Sequence, residues 1–125
     1  MDLRKLRHSF GYAMAGLYRL IRDEQNARIH VIITALTFIA AFVLKINHIE
    51  AAIVFMAVIL VFGMEIINTA IEDLIDHLHP DEHATIARIK DAMSGAVFIS
   101  AIIAGTVGVM IFYPYVSDAI QTLRS

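Results

Sequence analysis

The 125-residue sequence contains no cysteine. This removes disulfides, thiolate metal sites and thiol nucleophiles together, and leaves oxygen, imidazole and amine groups to carry any chemistry. Charge is also scarce: Asp, Glu, Lys and Arg make up 18% of the chain, against 58% hydrophobic residues and a mean hydropathy of +0.69. That balance is not the profile of a water-soluble domain and points to a membrane. No segment matches G-x-x-x-x-G-K-[ST] or the kinase-type G-x-G-x-x-G, so a nucleotide site of either familiar design is not expected. Internal repeats, low-complexity tracts and linkers are absent, and no nucleic-acid partner is expected. The opening M-D-L-R-K-L-R-H-S-F has basic residues but no apolar core followed by a small-residue cleavage site, so it reads as mature sequence.

What is present is one domain, residues 1–125, of all-α integral membrane class. Residues 29–46, 51–75 and 92–117 are long and apolar enough to cross a bilayer. The shortest, of 18 residues, reaches about 27 Å as a helix against a hydrocarbon core of about 30 Å. Tyr113, Pro114 and Tyr115 near the end of the third suit an interfacial aromatic belt and a helix stop. Ahead of the first span, residues 1–27 repeat Leu3, Leu6, Phe10, Ala13, Leu17 and Leu20 at steps of three and four, with Arg4, Lys5, Arg7, Arg19 and Arg22 mostly off that face. This pattern predicts an amphipathic helix lying on the membrane surface. Between spans two and three the chain stays polar, with Pro80 as a breaker.

Basic residues set the expected orientation. Arg4, Lys5, Arg7, Arg19, Arg22 and Arg28 precede the first span, Arg88 and Lys90 lie in the second connector, and only Lys45 and Arg124 remain for the other side. The N-terminus and the second connector are therefore expected in the cytoplasm and the C-terminus outside.

The segment M-E-I-I-N-T-A-I-E-D-L-I-D (64–76) follows a run without charge. Glu65, Asn68, Thr69, Glu72 and Asp76 fall within roughly a third of a helix circumference and form one polar stripe. The predicted topology brings this stripe, Glu24 and the Lys90-Asp91 pair to one depth. A carboxylate just inside the hydrocarbon, as expected for Glu65, costs on the order of 3 kcal/mol and is a functional candidate by default. Glu24 and Glu72 with Asn68 offer hard oxygen ligands of the type that hold Mg²⁺ together with substrate phosphates. The deeper Glu65 has the setting of a base. Lys90 is placed to neutralise a transferring phosphoryl group.

Plainer readings stand beside these. Glu72, Asp73 and Asp76 read equally as solvated residues past the membrane edge, Glu65 with Asn68 as a polar contact between helices, and Lys90 as a snorkelling anchor. His77, His79 and His83 do not have ligand spacing and read as loop residues. Ala96, Ser100, Ala101, Ala104, Gly105 and Gly108 read as close helix packing.

E-Q-N-A-R-I-H (24–30), E-I-I-N-T-A-I-E (65–72) and K-D-A-M-S-G-A-V (90–97) resemble, in order and spacing, the signature segments of the prokaryotic diacylglycerol kinase family of small membrane lipid kinases. The likeness covers nearly the whole chain. It implies transfer of the γ-phosphate of Mg-ATP to the hydroxyl of a membrane lipid by a homotrimer whose sites are shared between subunits. By the same resemblance, Glu65 is the general base, Glu24 and Glu72 hold the metal ions, Asn68 orders the site, and Lys90 and Asp91 contact the nucleotide, whose site also includes Glu24, Asn68 and Glu72. The residues agree on oligomerisation, because three spans are not expected to hide the stripe from lipid by themselves. E-x-N-x-R-I-H with N-T-A-I-E looks like the branch that phosphorylates undecaprenol, although Ser94 stands where that branch often has Ala.

The expected function is thus a Mg-ATP-dependent lipid kinase acting on undecaprenol, with diacylglycerol as the alternative acceptor. A rival of another class is a small proton- or cation-coupled transporter in which Glu65 loads and releases protons. A third is a structural subunit whose stripe pairs helices, a task that neutral Asn, Ser or Thr would perform at lower cost.

Overall fold

A computed structural model describes residues 2–79 and 83–124. Over these residues the chain forms four α-helices: α1 (Leu3–Asp23), α2 (Gln25–Val43), α3 (His48–Leu78) and α4 (Ala84–Arg124). The last three are long and apolar enough to cross a membrane. Few side chains are buried, and Phe42, Met56, Val109 and Met110 are among many large apolar residues left largely exposed. In water this would be an aggregating surface; in lipid it is the expected outside of the molecule.

α1 starts where Asp2 accepts hydrogen bonds from the Arg4 and Lys5 amides at 3.1 and 3.4 Å. The expected surface segment 1–27 is corrected by an interruption at Glu24, whose extended backbone (φ −98°, ψ 126°) ends α1 and begins α2. Residues 25–28 therefore belong to the span helix. The corner is held by polar contacts: Arg28 donates to the Arg22 carbonyl at 2.7 Å, and Arg22 pairs with Asp23 at 2.6 Å. That guanidinium holds the Asp23 carboxyl below the usual carboxylate range.

The far end of the first span, predicted to reach Ile46, is also corrected. α2 stops at Val43, and the amides of Lys45 and Ile46 bond back to the carbonyls of Phe42 and Ala41 at 3.3 and 3.2 Å. This is a Schellman closure with Lys45 in the left-handed region (φ 52°). Asn47 then opens α3 with a capping box: its side chain accepts from the Ile49 and Glu50 amides, and Glu50 accepts from the Asn47 amide.

α3 is the central helix, packed most extensively on α4 and also on α2. Its buried residues are Val54, Val61, Glu65 and Asn68. These spacings keep to one face, so the polar stripe continues a buried apolar one. Small residues face it: Ala27 and Ala41 are buried on α2 and Ser100 on α4. Phe38 and Phe55 add a tilted aromatic contact, 6.2 Å between ring centroids.

The helix stop expected at Pro114 is overturned, because α4 runs through it to Arg124. Proline removes one helical donor, but a membrane helix tolerates this when neighbouring groups hold the flanking turns. Here Tyr115 donates to Glu50 Oε2 at 2.6 Å and ties the turn after the proline to the start of α3. The break expected at Pro80 lies outside the described residues.

Candidate active site

Glu65 is the least exposed ionisable side chain of the described residues, at 2%. It projects from the middle of α3, three residues before Asn68, which is 7% exposed. The groups whose charges reach Glu65 are His30, Glu24 and Glu72. Glu24 arrives from the α1–α2 corner and His30 from the second turn of α2. The structure thus brings His30, Glu24 and Glu72, from sequence positions as far apart as 24 and 72, within electrostatic reach of Glu65.

Asn68 donates through Nδ2 to Glu72 Oε1 at 3.2 Å. A carboxylate accepts only, so this bond fixes which way the amide points. Its other end, Oδ1, is buried without a hydrogen-bond partner. An orphaned buried acceptor costs about 1–3 kcal/mol, and a row of carboxylates with one neutral amide cannot repay it. The arrangement is poor as a structural core and fits a site that receives a cation. No group of three His, Asp or Glu poised around a single metal position exists among the described residues. Mg²⁺ does not require one, since it is commonly held by one or two carboxylates plus phosphate oxygens and water.

Lys90 pairs with Asp76 at 2.5 Å, joining the first two turns of α4 to the last turns of α3. Glu72 also lies within its electrostatic reach. Asp91 is exposed beside it. Lys90 and Asp91 thus stand at the far end of the carboxylate row from Glu65.

Two expectations are met only in part. Of the polar stripe, Glu65 and Asn68 are hidden within the single chain, whereas Thr69 and Glu72 are half-buried and Asp76 is exposed. Ala27, 0% exposed, and Ser100 let α2 and α4 approach closely enough to seal that part of α3. Of the histidines read as loop residues, His77 instead lies in the last turn of α3, while His79 and His83 stand outside the helices: the His79 amide closes α3, and the His83 ring accepts the Thr85 amide at 3.2 Å. The site residue that sequence reasoning passed over is His30. Its only signal was its place at the end of E-Q-N-A-R-I-H, nearly two turns of helix after Glu24.

Residues 11–112 match the family described as prokaryotic diacylglycerol kinase. The undecaprenol kinase of Bacillus subtilis is 32% identical over 90% of this chain and 92% of that protein. A diacylglycerol kinase of Synechocystis is 34% identical over 85% of the chain but only 61% of its own length. The diacylglycerol kinase of Haemophilus influenzae is 30% identical over 88% of the chain and 95% of that protein.

Proposed function

The chain belongs to the prokaryotic diacylglycerol kinase family and is a phosphotransferase with an alcohol acceptor; on that premise we propose that it moves the γ-phosphate of ATP, with Mg²⁺, to the hydroxyl of undecaprenol. Diacylglycerol is the second candidate acceptor, since relatives of similar identity carry either name. Undecaprenol is favoured by E-x-N-x-R-I-H together with N-T-A-I-E and by the end-to-end match to the Bacillus protein. Family membership decides against the transporter and structural-subunit readings.

One observation supports the assignment of roles above the rest: a nearly solvent-free Glu65 lies within electrostatic reach of Glu24 and Glu72, on the same helix face as an Asn68 whose buried carbonyl has no partner. In this reading Glu65 takes the proton from the lipid hydroxyl as its oxygen forms a bond to Pγ. The bond from Pγ to the bridging oxygen breaks, and ADP carries away that electron pair. Glu24 and Glu72, with Asn68, would hold Mg²⁺, which supplies neutralisation of phosphate charge when bound. Lys90 and Asp91 would contact the nucleotide, Lys90 exchanging Asp76 for phosphate oxygens.

The membrane arrangement is part of the same proposal. α1 lies on the cytoplasmic surface of the bacterial inner membrane, the N-terminus is cytoplasmic, the C-terminus is outside, and the assembly is a homotrimer. The basic residues around α1 and the start of α4 support the orientation. The trimer rests on family resemblance alone. The test is transfer of labelled γ-phosphate from Mg-ATP by the purified protein to undecaprenol and dioleoylglycerol offered in parallel. Label on undecaprenol is the expected result; label on diacylglycerol alone reassigns the acceptor, and no label on either overturns the reading.

A further inference from the structure

Arg28 is the charged residue of E-Q-N-A-R-I-H to which the proposed reaction gives no role. It stands next to a corner on which the reaction depends. Glu24 is the single residue between α1 and α2, and its extended backbone (φ −98°, ψ 126°) turns the chain from one helix into the other. Its amide closes α1 on the Leu20 carbonyl at 2.9 Å, while its side chain makes no capping hydrogen bond to α2. The backbone at the corner therefore aims the carboxylate, and whatever sets the corner sets the proposed ligand.

Packing does little to set it. α1 has no buried residue: Leu17, Leu20 and Ile21 near its end are half-buried, whereas Leu3, Leu6 and Phe10 are exposed. The constraint comes from Arg28. In a continuing helix the Arg22 carbonyl would accept the Asn26 amide, and at this corner it accepts from the Arg28 guanidinium instead, at 2.7 Å. Arg28 stands one helical turn after Glu24, on the same side of the chain, so its side chain bridges the pivot from the first turn of α2 to the last turn of α1. A cation at a helix C-terminus is favoured by the helix dipole as well. The neighbouring Asp23 carboxylate is already held by Arg22, at 2.6 and 2.9 Å, and leaves Arg28 to the carbonyl. An arginine that only anchored the span at the headgroups would need no such partner.

We propose that Arg28 is a positioning residue: by closing the end of α1 it fixes the corner, and with it the Glu24 carboxylate as a ligand for Mg²⁺. It acts through Glu24 and not on the reacting atoms. The proposal rests on the reading of Glu24 as a metal ligand and adds what holds that ligand in place.

Two measurements test it. The first is a double-substitution cycle on the Mg²⁺ concentration for half-maximal phosphoryl transfer. Arg28→Met is expected to raise that midpoint by about tenfold, the lower end of what a lost outer-shell partner costs in metal affinity, with a smaller loss of kcat. Arg28→Lys, which keeps a charged donor, is expected to recover part of the shift. In a Glu24→Gln background Arg28→Met is expected to add less than about twofold, because a residue that acts through another is not additive with it. An unmoved midpoint in Arg28→Met, or an equal shift in both backgrounds, overturns the proposal alone; an unmoved midpoint in Glu24→Gln overturns the metal-ligand reading beneath it as well. The second measurement needs neither turnover nor metal. The chain has no cysteine, so Tyr12→Cys on α1 and Phe42→Cys on α2, both at largely exposed positions, carry a pair of nitroxide labels in nanodiscs, diluted with unlabelled chain. Arg28→Met is expected to broaden the distance distribution between them, and Arg28→Lys to broaden it less. An unchanged width overturns the proposal even if the Mg²⁺ midpoint moves. Arg28→Lys serves for both comparisons if Arg28→Met does not fold. If the wild type phosphorylates neither undecaprenol nor dioleoylglycerol, the kinase reading falls, while the label pair still decides whether Arg28 sets the corner.

Discussion

The two ends of α3 use the same residue types in opposite ways. At its first turn Asn47, Glu50 and Tyr115 form a closed set: the Asn47 side chain caps two amides, Glu50 caps the Asn47 amide, and Tyr115 completes Glu50. In its second half Glu65, Asn68 and Glu72 share one face, Glu65 lies within electrostatic reach of the like charges of Glu24 and Glu72, and Asn68 carries an unpaired buried oxygen. The first end resembles a solved hydrogen-bond problem and contributes stability. The second leaves its demands open, as the proposed site for cations and phosphate requires. The contrast shows that position in the helix matters less than whether the surrounding elements supply partners.

The largest effect should come from the unsatisfied end. Glu65→Gln is expected to lower phosphoryl transfer by about 10³-fold, within the usual range for loss of a general base, while the unfolding midpoint in detergent stays level or rises because a buried charge has gone. A marked fall in stability with activity per folded molecule intact would make Glu65 a structural residue and break the comparison. Glu72→Gln should keep most of the fold and shift the Mg²⁺ concentration for half-maximal rate upward by about tenfold, the lower end of what lost ligand support costs. Titration of rate against Mg²⁺ decides it, and an unmoved midpoint removes Glu72 from the metal site.

At the satisfied end the effects should be smaller and confined to stability. Tyr115→Phe leaves Glu50 with one partner fewer and frees the turn after Pro114. A thermal midpoint lower by a few degrees is expected, with kcat per folded enzyme unchanged; a large loss of activity would show that the two ends are coupled through α3 or α4. Lys45→Gly should act in the other direction, stabilising by about 1 kcal/mol, because Lys45 sits at a left-handed position where a side chain is penalised. Equilibrium unfolding in denaturing detergent measures it.

Much of the candidate site is legible in the sequence. The offsets of Glu65, Asn68 and Glu72 place them on one helix face, and the fold keeps them there, with Asn68 bonded to Glu72. What is not legible has no local signature. Nothing in D-E-Q-N distinguishes a helix corner from a continuing helix, and Glu24 is extended because Arg28 reaches back to the Arg22 carbonyl. Lys45 closes α2 in a role usually given to glycine. Pro114 reads as a stop because its effect on its own helix is predictable, whereas the Tyr115–Glu50 bond that offsets it spans 65 residues.

The sequence by itself determined the membrane class, the three apolar segments, the polar stripe and the family, since each depends on composition, periodicity or order along one chain. Only the tertiary structure decided that Glu65 and Asn68 are sealed by their own chain and that His30, with Glu24, comes within electrostatic reach of Glu65. Those outcomes depend on how far each helix is rotated and slid against its neighbours. Small residues such as Ala27 and Ser100 permit that approach, but the pattern within any one helix does not specify which partner takes it up.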